Sequence, residues 1–247
     1  MDAPMTISKT RASAPLLDLK VSPYMKRVIV AIDGPAGAGK STIARRIAEK
    51  TGFVYIDTGA MYRAIALWAL RAGVDLTDMH KLEELAKAAR LVFLDGGAGM
   101  ELNGENVSAE IRTPEVASAA SKVAAVTAVR RALVEKQREI AANASVVMEG
   151  RDIGTVVFPD ANVKVYLDAD QDVRAKRRAR DLIEADTAKI AREIADRDKR
   201  DSSRPDSPMM QAPDAVYLDS TGLNLDQVEE AILKLIRDRT SNGKEIH

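Results

Sequence analysis

The feature that most constrains this chain is a glycine-rich segment, Gly34 to Ser41, between a predicted strand and a predicted helix. It reads Gly-Pro-Ala-Gly-Ala-Gly-Lys-Ser and fits the pattern G-x-x-x-x-G-K-[ST] at every fixed position. The apolar run 28–33 precedes it, and a helical pattern with Ile43 and Ile47 on one face follows it as far as Gly52. In that context backbone N–H groups and a helix N-terminus face a polyphosphate. The sequence therefore predicts a nucleoside triphosphate site.

The motif also assigns roles to single residues. Lys40 is predicted to reach the β- and γ-phosphates, and the Ser41 hydroxyl is predicted to ligate Mg²⁺. ATP and Mg²⁺ are therefore the expected cofactors. The predicted nucleotide-binding residues are Gly34, Pro35, Ala36, Gly37, Ala38, Gly39, Lys40, Ser41 and Thr42.

Composition limits what else the chain can do. Lys plus Arg and Asp plus Glu number 37 each, and the aromatic residues are three Phe, one Trp and five Tyr. Neither a net positive field nor a base-stacking platform is indicated, so we expect no nucleic-acid partner. No apolar run approaches the ~18 residues of a membrane span, and cysteine is absent. We expect a cytoplasmic enzyme without a membrane partner, whose chemistry runs on Lys, Arg, Asp and a metal ion.

Short apolar runs alternate with helical patterns along the chain, which predicts an α/β fold with a five-stranded parallel sheet flanked by helices. The predicted strands are 28–33, 53–56, 146–148, 163–167 and 216–218. Between residues 91 and 107 the period changes to short strand-like pieces with hairpin signals at Asp95-Gly96-Gly97 and Asn103-Gly104, which indicates a small β insertion. Residues 1–25 lack the apolar core of a secretory signal, so a mobile tail is predicted there.

Polar clusters after the predicted strands point to a second substrate. Thr58 and Tyr62 fall on one helix face, with Arg63 beside them, so a hydroxyl, a ring and a guanidinium can hold a phosphate and stack on a base. Arg112 precedes a helix start, and Arg151-Asp152 follows a strand that opens on the side of the phosphate loop. For any one of these charged residues the alternative is a surface ion pair.

Two further groups of charges lie on helices. Arg174, Arg177 and Arg178 share one face, where like charges repel unless water or an anion meets them. Arg197, Asp201 and Arg204 form a second stripe, and there spacing alone favours ordinary intrahelical salt bridges.

Several of these segments together resemble the bacterial cytidylate kinase family, in that family's order and spacing over residues 26 to 240. They are 34–42 (GPAGAGKST), 57–63 (DTGAMYR), 111–116 (IRTPEV), 150–161 (GRDIGTVVFPDA) and 218–221 (LDST), of which the fourth is the most specific. The resemblance implies ATP-dependent phosphorylation of CMP and dCMP by a P-loop nucleoside monophosphate kinase fold.

The resemblance also implies a division of the chain and a role for each cluster. It implies a core (26–57, 142–169, 205–240), a small β-containing monophosphate-binding lobe (58–141), a lid (170–190) and a C-terminal tail (241–247). It places Thr58, Tyr62, Arg63, Arg112, Arg151 and Asp152 around the acceptor, with Asp152 reading the cytosine. It also implies that Arg197, Asp201 and Arg204 lie at the acceptor site rather than in ordinary salt bridges. The catalytic residues it implies are Lys40 and the lid arginines Arg174, Arg177 and Arg178.

Two alternatives remain at this point. One is another small-acceptor P-loop kinase acting on UMP or shikimate, and the other is a nucleotide-dependent switch. The tyrosine and the acceptor-side arginines favour a nucleotide acceptor, and the chain contains no Asn-Lys-x-Asp guanine-reading tetrad. The expected partners are small-molecule substrates, and a monomer is expected.

Overall fold

The structure is a computed structural model that describes residues 27–182 and 186–241. The predicted tail at 1–25 and nearly all of the predicted tail at 241–247 lie outside the described residues, as does 183–185 within the predicted lid. Within the described ranges, no helix is both long and apolar enough to cross a bilayer.

Among residues 27–182 and 186–241, eight strands form two sheets. The strands are β1 Ile29–Asp33, β2 Val54–Asp57, β3 Leu91–Leu94, β4 Gly99–Leu102, β5 Glu105–Asn106, β6 Val146–Glu149, β7 Val163–Asp168 and β8 Val216–Asp219. The large sheet has the order β2-β6-β1-β7-β8, and every neighbouring pair in it is parallel. The predicted five-stranded parallel sheet is therefore confirmed.

In the part of the chain that the structure describes, eight α-helices connect and cover the strands. They are α1 Lys40–Thr51, α2 Thr58–Arg71, α3 Met79–Ala88, α4 Pro114–Val123, α5 Thr127–Ile140, α6 Gln171–Leu182, α7 Thr187–Ser202 and α8 Leu225–Ser241. Their ends follow local chemistry. Gly52 ends α1 in the left-handed region at φ 71°, and Thr113 caps α4 by accepting from the Val116 N–H, with Pro114 in the first turn.

The small β insertion is an antiparallel sheet in the order β3-β4-β5. Asn103 and Gly104 turn the chain between β4 and β5, both with positive φ, as the sequence predicts. The third strand lies at 105–106, just before the predicted neighbourhood of Val107. Val107 is fully buried in the core of the helical lobe, so the exposed edge strand β5 ends before it.

Apolar side chains fall into separate cores on the two faces of the large sheet and in the lobe. Helices α1 and α8 cover one face around Ile32 and Val165, while the opposite face packs around Ile56 and Met148. A third core fills the lobe formed by α2 to α5 and the small sheet. Since the core of the large sheet is buried from both sides, polar groups collect at the ends of its strands.

Candidate active site

The parallel sheet places predicted site residues together at the carboxyl ends of its strands. The carboxyl ends of all five strands point the same way, so the segments that follow them lie side by side. The glycine loop follows β1, Thr58 follows β2, and Arg151 follows β6. Helix α6 with its arginines follows β7, and Ser220 follows β8.

The glycine loop packs closely on β7, the strand beside β1 in the sheet. Gly34 has φ +143°, and a Cβ at this position would lie 2.0 Å from the Leu167 carbonyl oxygen, so no side chain fits there. The Lys40 ammonium is buried and donates to the Pro35 carbonyl oxygen at 2.7 Å, inside its own loop. Burial, with repulsion from Arg151, lowers the pKa of Lys40 to about 7. The charges of Glu149 and Asp198 act in the opposite direction and offset this effect only in part.

A buried carboxylate lies beside the start of α1. Glu149, the last residue of β6, accepts a hydrogen bond from the Tyr55 hydroxyl at 3.0 Å and one from the Ser41 side chain. Its pKa is raised, mainly by burial and also by Asp57. Ser41 itself is exposed at the helix N-terminus. A hydroxyl with a carboxylate next to it is an oxygen donor set of the kind Mg²⁺ prefers, so these residues fit the predicted ion.

The second strand supplies an anchored arginine. Asp57 caps α2 by accepting from the Ala60 N–H at 2.9 Å, and it also accepts from Arg63 Nη2 at 2.9 Å. Burial alone would raise the pKa of Asp57, but the Arg63 charge and these hydrogen bonds lower it. Thr58 is buried and donates its hydroxyl hydrogen to the Glu149 carbonyl oxygen at 2.7 Å. The α2 N-terminus is thus fixed against the end of β6.

Three arginines converge on one carboxylate. Asp201, near the end of α7, lies 3.2 Å from Arg151 Nε, 3.0 Å from Arg204 Nη2 and 3.9 Å from Arg197 Nε. Desolvation, with repulsion from Arg151, lowers the pKa of Arg197 to about 10. The stripe therefore contains one intrahelical pair that its spacing indicates, Arg197 with Asp201, while Arg204 pairs with Asp201 from just beyond the end of α7 and Arg151 joins from the end of the sheet. One carboxylate for three guanidinium groups leaves a net positive cluster.

Asp152 pairs with a residue that the sequence reasoning missed. It forms a buried ion pair with Arg130 on α5, and the Arg130 guanidinium lies 5.5 Å from the centre of the Tyr62 ring. Gln137, one of the least exposed residues of α5, hydrogen-bonds Tyr62. A signal for Arg130 was available, because it stands next to Val129 on the apolar face of α5, and an arginine there requires a partner.

Two arginines of α6 contact the glycine loop. Arg174 donates to the Ala36 carbonyl oxygen at 2.9 Å and pairs with Asp198 of α7. Arg177 donates to the Ala38 carbonyl oxygen at 3.2 Å and to the Ser220 carbonyl oxygen at 2.8 Å. Arg178 is close enough to Arg197 for their charges to repel, which contributes to the lowered pKa of Arg197. Of the predicted arginine face, Arg174 and Arg177 therefore lie on the glycine loop, and Arg178 lies toward Arg197.

Arg112 stands apart from this cluster. Its side chain is exposed and donates to the Ala98 carbonyl oxygen at 2.9 Å within the small lobe. Its charge nevertheless contributes to the lowered pKa of Asp57. The structure thus places Arg112 at the margin of the site.

The chain was compared with known proteins. It matches the family model described as cytidylate kinase over residues 30–238. It is 58% identical over 226 residues to a cytidylate kinase of Solibacter usitatus, covering 89% of this chain and 97% of that protein. It is 48% identical over 209 residues to a cytidylate kinase of Desulforamulus reducens, covering 83% and 94%. The chain belongs to the cytidylate kinase family.

In this member of the cytidylate kinase family, buried donors around the site lack acceptors. Among the described residues, the Nε–H groups of Arg63, Arg130 and Arg197 are buried and have no hydrogen-bond partner. Buried polar groups are nearly always paired, so an unpaired set in one place indicates a ligand that supplies the acceptors. Donors on cationic side chains favour an anionic ligand.

Proposed function

We propose that this protein transfers the γ-phosphoryl group of ATP to CMP and dCMP, forming CDP and dCDP. One observation carries the proposal: a glycine loop with its lysine faces a cluster of arginines whose buried Nε–H groups lack acceptors. Such a cluster suits the phosphate of a second nucleotide, held near the end of the triphosphate. Membership of the cytidylate kinase family supports cytidine nucleotides over UMP, shikimate or a nucleotide-dependent switch.

We assign the acceptor's base to the group around Asp152. A carboxylate accepts from the exocyclic amine of cytosine, whereas uracil presents a carbonyl oxygen at that point. The buried pair with Arg130 holds this carboxylate, and Tyr62 offers a ring face for stacking. Asp201 and Arg204 would contact the sugar.

We assign the acceptor's phosphate to the arginines that surround the ends of β2 and β6. Arg63, Arg151 and Arg197 come from three separate elements, and guanidinium groups bind phosphate oxygens through paired N–H donors. Thr58 and Arg112 would complete this part of the site at its edges. The bound phosphate would supply the acceptors that the buried Nε–H groups of Arg63 and Arg197 lack.

The chemistry asks the protein for positioning and positive charge. Lys40 would leave the Pro35 carbonyl oxygen and contact the β- and γ-phosphates, while backbone N–H groups of residues 34–42 hold the triphosphate. Mg²⁺, held by Ser41 beside Glu149, would neutralise phosphate charge. Arg174, Arg177 and Arg178 would add charge at the transferred group. The attacking phosphate oxygen is already anionic, so the reaction requires no general base.

We further propose that residues 170–190 act as a lid and residues 58–141 as the monophosphate-binding lobe, on a core of 26–57, 142–169 and 205–240. Closure of the lid over the loop would exclude water, which could otherwise accept the phosphoryl group. Equal numbers of basic and acidic residues support action on free nucleotides in the cytoplasm rather than on nucleic acid or at a membrane surface. We expect a monomer, which sedimentation can test.

An acceptor panel tests the function. ADP release from ATP is measured with CMP, dCMP, UMP, AMP or shikimate, and without acceptor. The proposal expects the highest kcat/KM with CMP and dCMP and little release in the blank. A preference for UMP or shikimate would make the protein a different small-acceptor kinase. Hydrolysis independent of every acceptor would favour the switch.

A further inference from the structure

A carboxylate outside the predicted site holds the segment that carries Arg151 and Asp152. Asp33, the last residue of β1, is buried and accepts from the Ile153 N–H at 2.8 Å and from the Gly154 N–H at 2.7 Å. These two amides come directly after Arg151 and Asp152. The two oxygens of one side chain thus fix the backbone next to two acceptor-side residues.

The segment that Asp33 holds is a rare kind of turn. Residues Ile153–Val157 form a single π-helical turn, in which the Phe158 N–H bonds to the Ile153 carbonyl oxygen at 2.7 Å. Such turns are uncommon and concentrate at functional sites. Their first N–H groups have no partner within the turn, so Asp33 satisfies them from a neighbouring strand.

The fit around this contact is tight. A Cβ added to Gly154 would lie 3.3 Å from Asp33 Oδ2 and 3.2 Å from Cδ of Lys164. A side chain at position 154 would therefore crowd both the Asp33 carboxylate and the Lys164 stem. Burial raises the pKa of Asp33 to about 6, although the two N–H groups act in the opposite direction. Burial of the ionised Asp33 carboxylate is therefore energetically unfavourable, and its two backbone hydrogen bonds offset only part of that cost.

We propose that Asp33 is a positioning residue for acceptor recognition, which sets Arg151 and Asp152 through the Ile153 and Gly154 amides. Asp33 also directly precedes Gly34, so the triphosphate loop and the acceptor-side residues share one anchor at the end of the central strand. A shift of the turn would move the base-reading carboxylate relative to the ATP site. The inference rests on the proposed function.

The test compares wild type with Asp33→Asn and a matched control, Asp214→Asn. The amide keeps the size of the side chain but replaces one acceptor oxygen with a donor that faces an N–H group. Asp214 pairs with Lys164 at 2.8 Å on the outer side of the same turn and is partly exposed. For each protein, kcat and KM are measured with CMP and with UMP, together with the KM for ATP, after circular dichroism and thermal melting have confirmed folding.

We expect Asp33→Asn to raise the KM for CMP and to lower the CMP-over-UMP ratio of kcat/KM by about tenfold or more. The KM for ATP should change by less than about threefold, and Asp214→Asn should keep the wild-type ratio. A folded Asp33→Asn protein with the wild-type ratio and KM for CMP would overturn the inference, and so would an effect on ATP alone.

Two further outcomes are decided in the same experiment. If Asp33→Asn does not fold, Gly154→Ala takes its place, because its new methyl group would lie 3.3 Å from Asp33 Oδ2 and crowd the contact between Asp33 and the turn, and the same criteria apply. If wild type prefers an acceptor other than CMP or dCMP, the proposed function has failed. The positioning role of Asp33 is then judged on the KM for the preferred acceptor.

Discussion

Asp152→Asn is the substitution whose consequence the structure defines best. Asp152 and Arg130 are both almost fully buried, at 5% and 3% exposure, and they form an ion pair. Removing one partner of a buried pair costs about 3–5 kcal/mol when the other charge is left alone. Here Arg130 keeps the Tyr62 ring and the Ala124 carbonyl oxygen, so we expect a loss of about 2–3 kcal/mol, at or below the low end of that range.

The same substitution should relax the choice of base. A hydrogen bond to a charged group contributes about 1.5–3 kcal/mol. Loss of the carboxylate should therefore reduce the CMP-over-UMP preference by roughly 10- to 100-fold, since about 1.4 kcal/mol corresponds to a factor of ten. An amide can present a donor to the uracil carbonyl, so part of the change should be a gain with UMP.

The assay combines urea unfolding with ADP release at varied CMP and UMP. Glu229→Gln is the matched control, because it removes a buried carboxylate that Lys50 contacts at 2.9 Å where α8 packs on α1. The control should lower stability without changing the base preference. A folded Asp152→Asn protein whose preference stays within about twofold of wild type would refute the assignment of Asp152 as the base reader.

Three other outcomes are expected. Lys40→Met should fold, since its ammonium points into the loop, yet lose several orders of magnitude in kcat; near-native turnover would remove the phosphate-loop assignment. Arg178→Ala should lower kcat more than it raises the KM for ATP, and hydrogen exchange across 170–182 should slow when both nucleotides bind; equal protection in both states would contradict the lid. The pKa of Asp33 is raised from 3.8 to about 6, so its contribution to stability is full below pH 3.8, declines as pH rises through 6, and is constant above that. Relative to Asp33→Asn, the free energy of unfolding of wild type should therefore fall by roughly 2 kcal/mol between pH 4 and pH 7, as measured by urea titration, and parallel pH profiles would contradict this.

The sequence predicts the donor half of the site because the signals there are local. A strand, a glycine loop with fixed spacing and a helix start follow one another within 28–52, and the structure contains each of them. The cap of α4 at Thr113 is local in the same sense. Alternation of strands and helices also predicts the parallel sheet, because parallel strands require crossover connections.

The acceptor half depends on contacts between distant parts of the chain. Arg130 precedes Asp152 by 22 positions, and no periodic pattern links them. The role of Asp33 depends on the order β6-β1-β7, which places the turn after β6 at the end of β1. Asp198 carries no motif, and its pairing with Arg174 requires the packing of α7 on α6. Sequence alone therefore predicts which residue types lie at the candidate site, but not the ion-pair and hydrogen-bond partners that position them.

The apolar cluster between α6 and α7 has a consequence for how these two helices would separate from the glycine loop. Ala175 and Ala179 of α6 pack with Ile190 and Ile194 of α7, and Ala36 joins them from the glycine loop. The two helices therefore pack mainly on each other. Within this cluster, separating both helices from the glycine loop would expose one loop methyl group, that of Ala36. What resists separation is polar: Arg174 to the Ala36 carbonyl oxygen, the Ala36 N–H to Asp198, and Arg177 to Ser220. Arg174 and Asp198 are only 12% and 14% exposed, and salt screens such mostly buried charges much less than exposed ones. Dissolved salt should therefore leave the contacts of this pair of helices with the loop largely intact.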